Sequence, residues 1–174
     1  MTKTYCGVGS RETPSVALGL MIDIGKALAQ RGYTLRSGAA SGADTAFERG
    51  CDLGRGDKEI FLPWNGFNSR LVTGSQKNII YTIPNEAFDM AAEFHPAWDR
   101  CSEAAMKLHA RNCMQILGRN LNDPVDFVIC WTPGGRGTGG TGQALRLAKA
   151  RGITIMDLGR YNETQLHIMA EAFT

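Results

Sequence analysis

Between Asp126 and Gly142 a short apolar run, Phe127-Val-Ile-Cys-Trp131, opens into Thr132-Pro-Gly-Gly-Arg-Gly-Thr-Gly-Gly-Thr-Gly142 and then into a helical pattern, Gln143 to Arg151. Six glycines within this loop let backbone approach a ligand without Cβ interference. The helix that follows presents free N–H groups at its start, so strand, Gly-rich loop and helix together form an anion site suited to phosphate. No Lys-Ser/Thr pair follows the loop, which excludes a P-loop. Its place near the C-terminus, rather than after the first strand, excludes the usual dinucleotide fingerprint.

Two further loops have the composition of ligand loops. Gly7-Val-Gly9-Ser10-Arg11 is small and carries one guanidinium that can pair with phosphate or carboxylate. Ser37-Gly38-Ala-Ala-Ser41-Gly42-Ala-Asp44 is a second strand–Gly loop–helix junction. There Ser41 can cap the helix, and Asp44 falls in the first turn, where it is favoured by the helix dipole or can accept from a ribose or base edge. Glu48 lies one turn further along. A third group, Leu108-His109-Ala-Arg111-Asn112, places His109 and Asn112 on one helix face with Arg111 beside them. Trp64, Phe67 and Trp98 are candidates for stacking on a base.

The elements that must position these loops alternate. Strands are expected at Thr4–Val8, Thr34–Ser37, Glu59–Leu62, Phe127–Trp131 and Thr154–Asp157. Helices are expected at Val16–Gln30, Gly42–Leu53, Ser102–Leu117, Gln143–Arg151 and Glu163–Phe173. That alternation implies an α/β domain with a mainly parallel sheet flanked by helices, and ligands bind beyond the carboxyl ends of such strands. Residues 63–101, rich in proline and aromatics, read as an insertion that could cover the site.

A length of 174 residues suits one domain, spanning 1–174. A net charge of +2 is too small to imply nucleic-acid binding by itself. No apolar run reaches transmembrane length and no signal-peptide core opens the chain, so no membrane association is expected. The five cysteines are scattered and odd in number, which points to small core residues and a reducing cytoplasm. His95, His109 and His167 show no metal-ligand spacing with them, and neither metal nor cofactor is expected.

Gly9-Ser-Arg11, Ser37 through Asp44, His109-Ala-Arg-Asn112 and Pro133 through Thr141 together resemble the Smf/DprA–LOG (SLOG) superfamily of Rossmann-like nucleotide-binding domains. The resemblance covers nearly the whole chain except about 63–101 and is nearest the stand-alone YpsA-related and phage DprA-like branch. It implies a single Rossmann-like domain that binds a phosphate-bearing nucleotide or nucleotide-derived small molecule. The implied ligand residues are Gly9, Ser10, Arg11, Gly38, Ser41, Gly42, Asp44, Arg111, Asn112, Thr132, Gly134, Gly135, Gly137, Thr138, Gly140, Thr141 and Gly142. One branch, the Lonely Guy phosphoribohydrolases, cleaves the N-glycosidic bond of nucleoside monophosphates; in this chain Thr141 stands where that branch carries its catalytic Glu. An enzyme of that kind would use Arg111 with Asp44 or Glu48 as a substitute carboxylate. DNA-processing protein A, another branch, binds single-stranded DNA; Arg111-Asn112 partly echoes its motif, but the chain lacks its basic excess. A homodimer is expected from superfamily habit and from Ala105, Met106, Cys113 and Met114, which one small sheet does not evidently cover.

Overall fold

The computed structural model describes residues 2–173; Met1 and Thr174 lie outside the described residues. Short apolar runs form β1 (Lys3–Gly7), β2 (Tyr33–Ser37), β3 (Lys58–Phe61), β4 (Ile79–Ile80), β5 (Phe127–Cys130) and β6 (Thr154–Asp157). The helices are α1 (Ser15–Gln30), α2 (Ala43–Leu53), α3 (Asn85–Phe94), α4 (Glu103–Leu117), α5 (Gly142–Ala150) and α6 (Glu163–Glu171). Every strand pair is parallel, in the order β4-β3-β2-β1-β5-β6. The molecule is thus an α/β protein, a single Rossmann-like domain with helices on both faces of its sheet. Among the described residues no helix is long and apolar enough to cross a membrane.

Alternation along β1 divides the core. Tyr5 packs on one face with Leu20 and Met21 of α1, Phe47 of α2 and Leu166 of α6. Cys6 and Val8 pack on the other face with Ala87 and Ala91 of α3, Met114 and Ile116 of α4 and Leu147 of α5. Covering both faces satisfies the run of apolar side chains that a parallel strand carries. Helices α1 and α2 touch at glycine: a Cβ on Gly50 would collide with the Ile22 carbonyl. That close approach fixes α2, which carries Asp44.

Two elements were not expected. β4 pairs with β3 at the sheet edge, and α3 packs on α4, both drawn from residues 63–101. That stretch therefore extends the sheet and completes a helix layer besides contributing to the cleft. It also covers α4. Cys113 and Met114 are fully buried within the chain, while Ala105 and Met106 remain partly exposed. Half of the apolar surface that suggested pairing is thus satisfied internally.

β1 is the point at which the sheet changes direction. From it the chain runs outward through β2, β3 and β4, then crosses back to β5 and β6. The loops after β1 and β5 diverge there and leave a crevice at the carboxyl ends of the strands.

Candidate functional site

The loop after β1 continues the sheet for a few residues. Val8 N–H donates to the Ile129 carbonyl at 3.2 Å, and Ser10 N–H to the Trp131 carbonyl at 3.0 Å. The chain then turns sharply. The Ser10 hydroxyl accepts from Glu12 N–H at 3.0 Å, and the Ser10 carbonyl accepts from the Thr13 hydroxyl at 2.6 Å. This leaves Gly9, Ser10, Arg11 and Glu12 along one rim of a cleft of about 430 Å³. That size is within the usual range for small-molecule pockets.

The floor holds two buried groups of opposite charge, Asp44 and Arg111, that act on each other through space without a direct ion pair. Asp44, in the first turn of α2, accepts from Ala40 N–H at 3.3 Å. Burial pushes its carboxyl up to about 6, against the pull of the Arg111 guanidinium and of backbone N–H groups at Ala40, Gly38 and Gly9. Arg111, on α4, is 4% exposed. Its Nη1 donates to the Gly38 carbonyl at 2.6 Å and the Phe61 carbonyl at 2.8 Å, and its Nε donates to Asn112 Oδ1 at 3.0 Å. One guanidinium thereby ties α4 to the loops after β2 and β3. Among the described residues no acceptor takes up Nη2. Burial draws Arg111 down to about 10, with Asp44 opposing, so it remains a cation at neutral pH. Phe67 lies under the guanidinium, 5.4 Å from ring centroid to Cζ, and also lines the cleft.

The burial of Asp44 makes a pH prediction. Below its ordinary value of 3.8 the carboxyl is protonated in both folded and unfolded chains. Between 3.8 and about 6 the unfolded chain ionises first, so Asp44's contribution to stability falls as pH rises through that window and is flat above it. Relative to Asp44→Asn, the wild-type chain is expected to lose on the order of 3 kcal/mol across the window. Urea denaturation of both proteins at several pH values between 3.5 and 7 measures it; parallel curves would refute the buried ionisation.

The opposite wall is the Gly-rich loop. Thr138, Gly139, Gly140 and Thr141 line the cleft, and α5 begins at Gly142 with no side chain capping its start. Asn112 Nδ2 donates to the Gly140 carbonyl at 3.2 Å, joining this wall to α4. The base of the loop is held by a buried relay. The Asp157 carboxylate, at the end of β6, accepts from Thr132 N–H at 2.9 Å, from Gly159 N–H at 2.9 Å and from the Thr132 hydroxyl. The same hydroxyl oxygen accepts from Gly137 N–H at 2.9 Å.

Thr132→Val keeps the shape of this relay and removes its hydroxyl. It leaves one carboxylate oxygen and one N–H unsatisfied, at a cost of about 1–3 kcal/mol each where water cannot replace the partner. The expected result is a lower Tm together with faster amide exchange at Gly137. Unchanged exchange there would remove the relay from any account of loop order.

No family model, no curated protein and no solved structure matches the chain. The geometry must carry the assignment.

Of the residues singled out in sequence, Gly9, Ser10, Arg11, Asp44, Arg111, Asn112, Thr138, Gly140 and Thr141 line one cleft. Others stand behind it. The Gly38 carbonyl holds Arg111, and a Cβ there would collide with Arg111 Nη1 and Gln115 Nε2. Gly42, at φ 90°, is itself the cap residue of α2, and Ser41 is exposed without capping it. Thr132 and Gly137 belong to the relay. Gly134 and Gly135 form the turn before it, where a Cβ on Gly135 would collide with Arg160. Gly142 packs against the Gly137 carbonyl. Glu48 lies elsewhere: Arg70 binds its carboxylate through both Nη atoms at 2.8 Å, and Lys58 binds it at 2.9 Å. Burial works upward on Glu48, but these hydrogen bonds outweigh it and keep the group an anion.

Glu12 and Gln115 are lining residues that the sequence reading passed over. Glu12 brings an exposed carboxylate to the rim. Gln115 and His109 line the α4 side. Gln115 is one turn beyond Arg111 on the same helix face, a spacing that could have revealed it. Its Nε2 is buried without a partner. Of the three aromatics, Phe67 reaches the cleft; Trp64 packs edge-on against Phe67, and Trp98 against His95.

Proposed function

We propose that the cleft binds a phosphate-bearing nucleotide or nucleotide-derived small molecule. The observation that carries this reading is the pairing of two anion-seeking walls. Arg111 lines one side; an uncapped helix start behind Thr138–Thr141 stands on the other. Arg11 adds positive charge at the rim, and Phe67 offers an aromatic face. The resemblance to the SLOG superfamily points the same way. Native mass spectrometry of the purified protein should detect a co-purifying nucleotide, and crystals soaked with sulfate or AMP should place the anion at the start of α5. Tight nucleotide binding with that loop empty would sink the reading.

A second reading has its own support. Asp44 brings a carboxylate to the floor of the cleft, and burial has raised its pKa toward neutrality. A fixed carboxylate stabilises the sugar cation that forms as an N-glycosidic bond breaks. Thr141 lines the same cleft but is neutral and supplies no such charge. With Asp44 already engaged by backbone N–H groups of the neighbouring loops, binding without hydrolysis is the leading proposal. Chromatography of AMP, CMP, GMP, UMP and their deoxy forms after incubation decides between the two. Catalytic release of free base, lost in Asp44→Asn, would promote the glycosidase. Oligonucleotide binding with a steep salt dependence would instead favour a single-strand DNA reading. The homodimer rests on the superfamily resemblance, and light scattering over a wide concentration range measures it.

A further inference from the structure

The turn that joins α3 to α4 brings together three side chains with no part in the charged floor of the cleft. His95 caps the end of α3, Cys101 precedes α4, and His109 lies on the second turn of α4. One ligand atom from each lies within 4.8 Å of the other two. Cys101 Sγ is 3.8 Å from the His95 ring nitrogens, and the two imidazole centroids are 4.4 Å apart. Zinc bound tetrahedrally by nitrogen and thiolate sets its ligand atoms about 3.3–3.6 Å apart, so the group closes on an ion through side-chain rotation alone.

We propose that His95, Cys101 and His109 form a binding site for a zinc-class divalent ion beside the cleft. Two nitrogens and one thiolate are the donor set such an ion prefers, and they exclude calcium and magnesium, which take oxygen. Three protein ligands leave the fourth position to water or to an oxygen of a small ligand. His109 also lines the cleft, so that position adjoins the proposed nucleotide pocket without depending on it.

The surroundings supply the support that metal-bound histidines need. His109 Nδ1 and Gln143 Oε1 are both buried without a partner at full hydrogen-bond geometry. An imidazole protonated at Nδ1 presents its Nε2 lone pair to an ion, the arrangement metal-bound histidines commonly adopt. His95 Nδ1 accepts from Ala97 N–H at 3.1 Å, so ligation by that atom exchanges one hydrogen bond for a metal bond. Cys101 releases its thiol proton to solvent as the thiolate binds. The other cysteines, Cys6, Cys51, Cys113 and Cys130, are buried and belong to no such ligand group among the described residues.

Cobalt(II) reports the site directly. The untagged 174-residue chain, freed of metal with a chelator and reduced, is titrated with Co²⁺ alone. The expected result is one equivalent bound, with a thiolate-to-cobalt charge-transfer band and the intense visible bands of a four-coordinate ion. Zn²⁺ added afterwards should bleach both. Cys101→Ser should abolish the charge-transfer band, and His109→Gln should weaken binding at least tenfold, with circular dichroism of each variant unchanged. Cys51→Ser, a control in the opposite core cluster, should leave the spectrum intact. No charge-transfer band, or a band that survives Cys101→Ser, overturns the proposal. If His109→Gln misfolds, His95→Ala on the outer turn provides the same test.

Discussion

Arg111→Met is expected to destabilise the protein by about 2–5 kcal/mol, because it leaves two buried carbonyls without a donor, at about 1–3 kcal/mol each, and removes the cation that offsets the burial of Asp44. Methionine fills most of the space but donates nothing. The carbonyls of Gly38 and Phe61 lose their donor, and Asp44 keeps a buried carboxylate with no facing cation. The loss should be smaller in the double variant Arg111→Met, Asp44→Asn, since neutralising the partner removes the uncompensated charge. Urea denaturation of the four members of this cycle gives the coupling. A single variant that unfolds like wild type would return Arg111 to an ordinary helix surface. Binding should fail as well. A charge-assisted contact to a buried phosphate is worth about 1.5–3 kcal/mol, so affinity in the surviving folded fraction should fall by roughly one to two decades.

Gly140→Val separates binding from folding. A Cβ at Gly140 meets no protein atom within 4 Å, and the residue lies on the cleft wall with an ordinary backbone conformation. A branched side chain there occupies the space through which a phosphate must approach the start of α5. Nucleotide affinity should fall at least a hundredfold, about 2.7 kcal/mol, while Tm stays near that of wild type. Calorimetry with the nucleotide identified by native mass spectrometry measures the first quantity, and a thermal melt the second. Retained affinity would move the ligand away from this wall.

The sequence announces some of this architecture more clearly than the rest. Strand and helix alternation along β1, α1, β2 and α2 is legible because each strand is a short apolar run and each helix has an apolar stripe with glycine beyond it. β4 is hidden because two isoleucines at a sheet edge carry no periodicity. α3 had a usable signal: Pro84 precedes Asn-Glu-Ala-Phe-Asp-Met-Ala-Ala-Glu-Phe94, and proline suits a helix start. Within the site, the loops after β1 and β5 were recognisable from glycine content. Composition cannot tell a glycine that lines the cleft, such as Gly140, from one that makes room for protein, such as Gly38 or Gly135. The burial of Arg111 was equally invisible, since its acceptors Gly38 and Phe61 lie 73 and 50 residues away in sequence. The three metal-type ligands follow no common spacing, and only the turn between α3 and α4 assembles them.

Asp157 sits at the end of the edge strand, outside the cleft, yet its carboxylate anchors the loop that forms one wall. Selection acting on that single outlying residue can loosen or stiffen the wall while every side chain that lines the cleft stays as it is. On the proposed reading, variation in β6 would be a tuning screw for residence time that leaves the pocket unaltered.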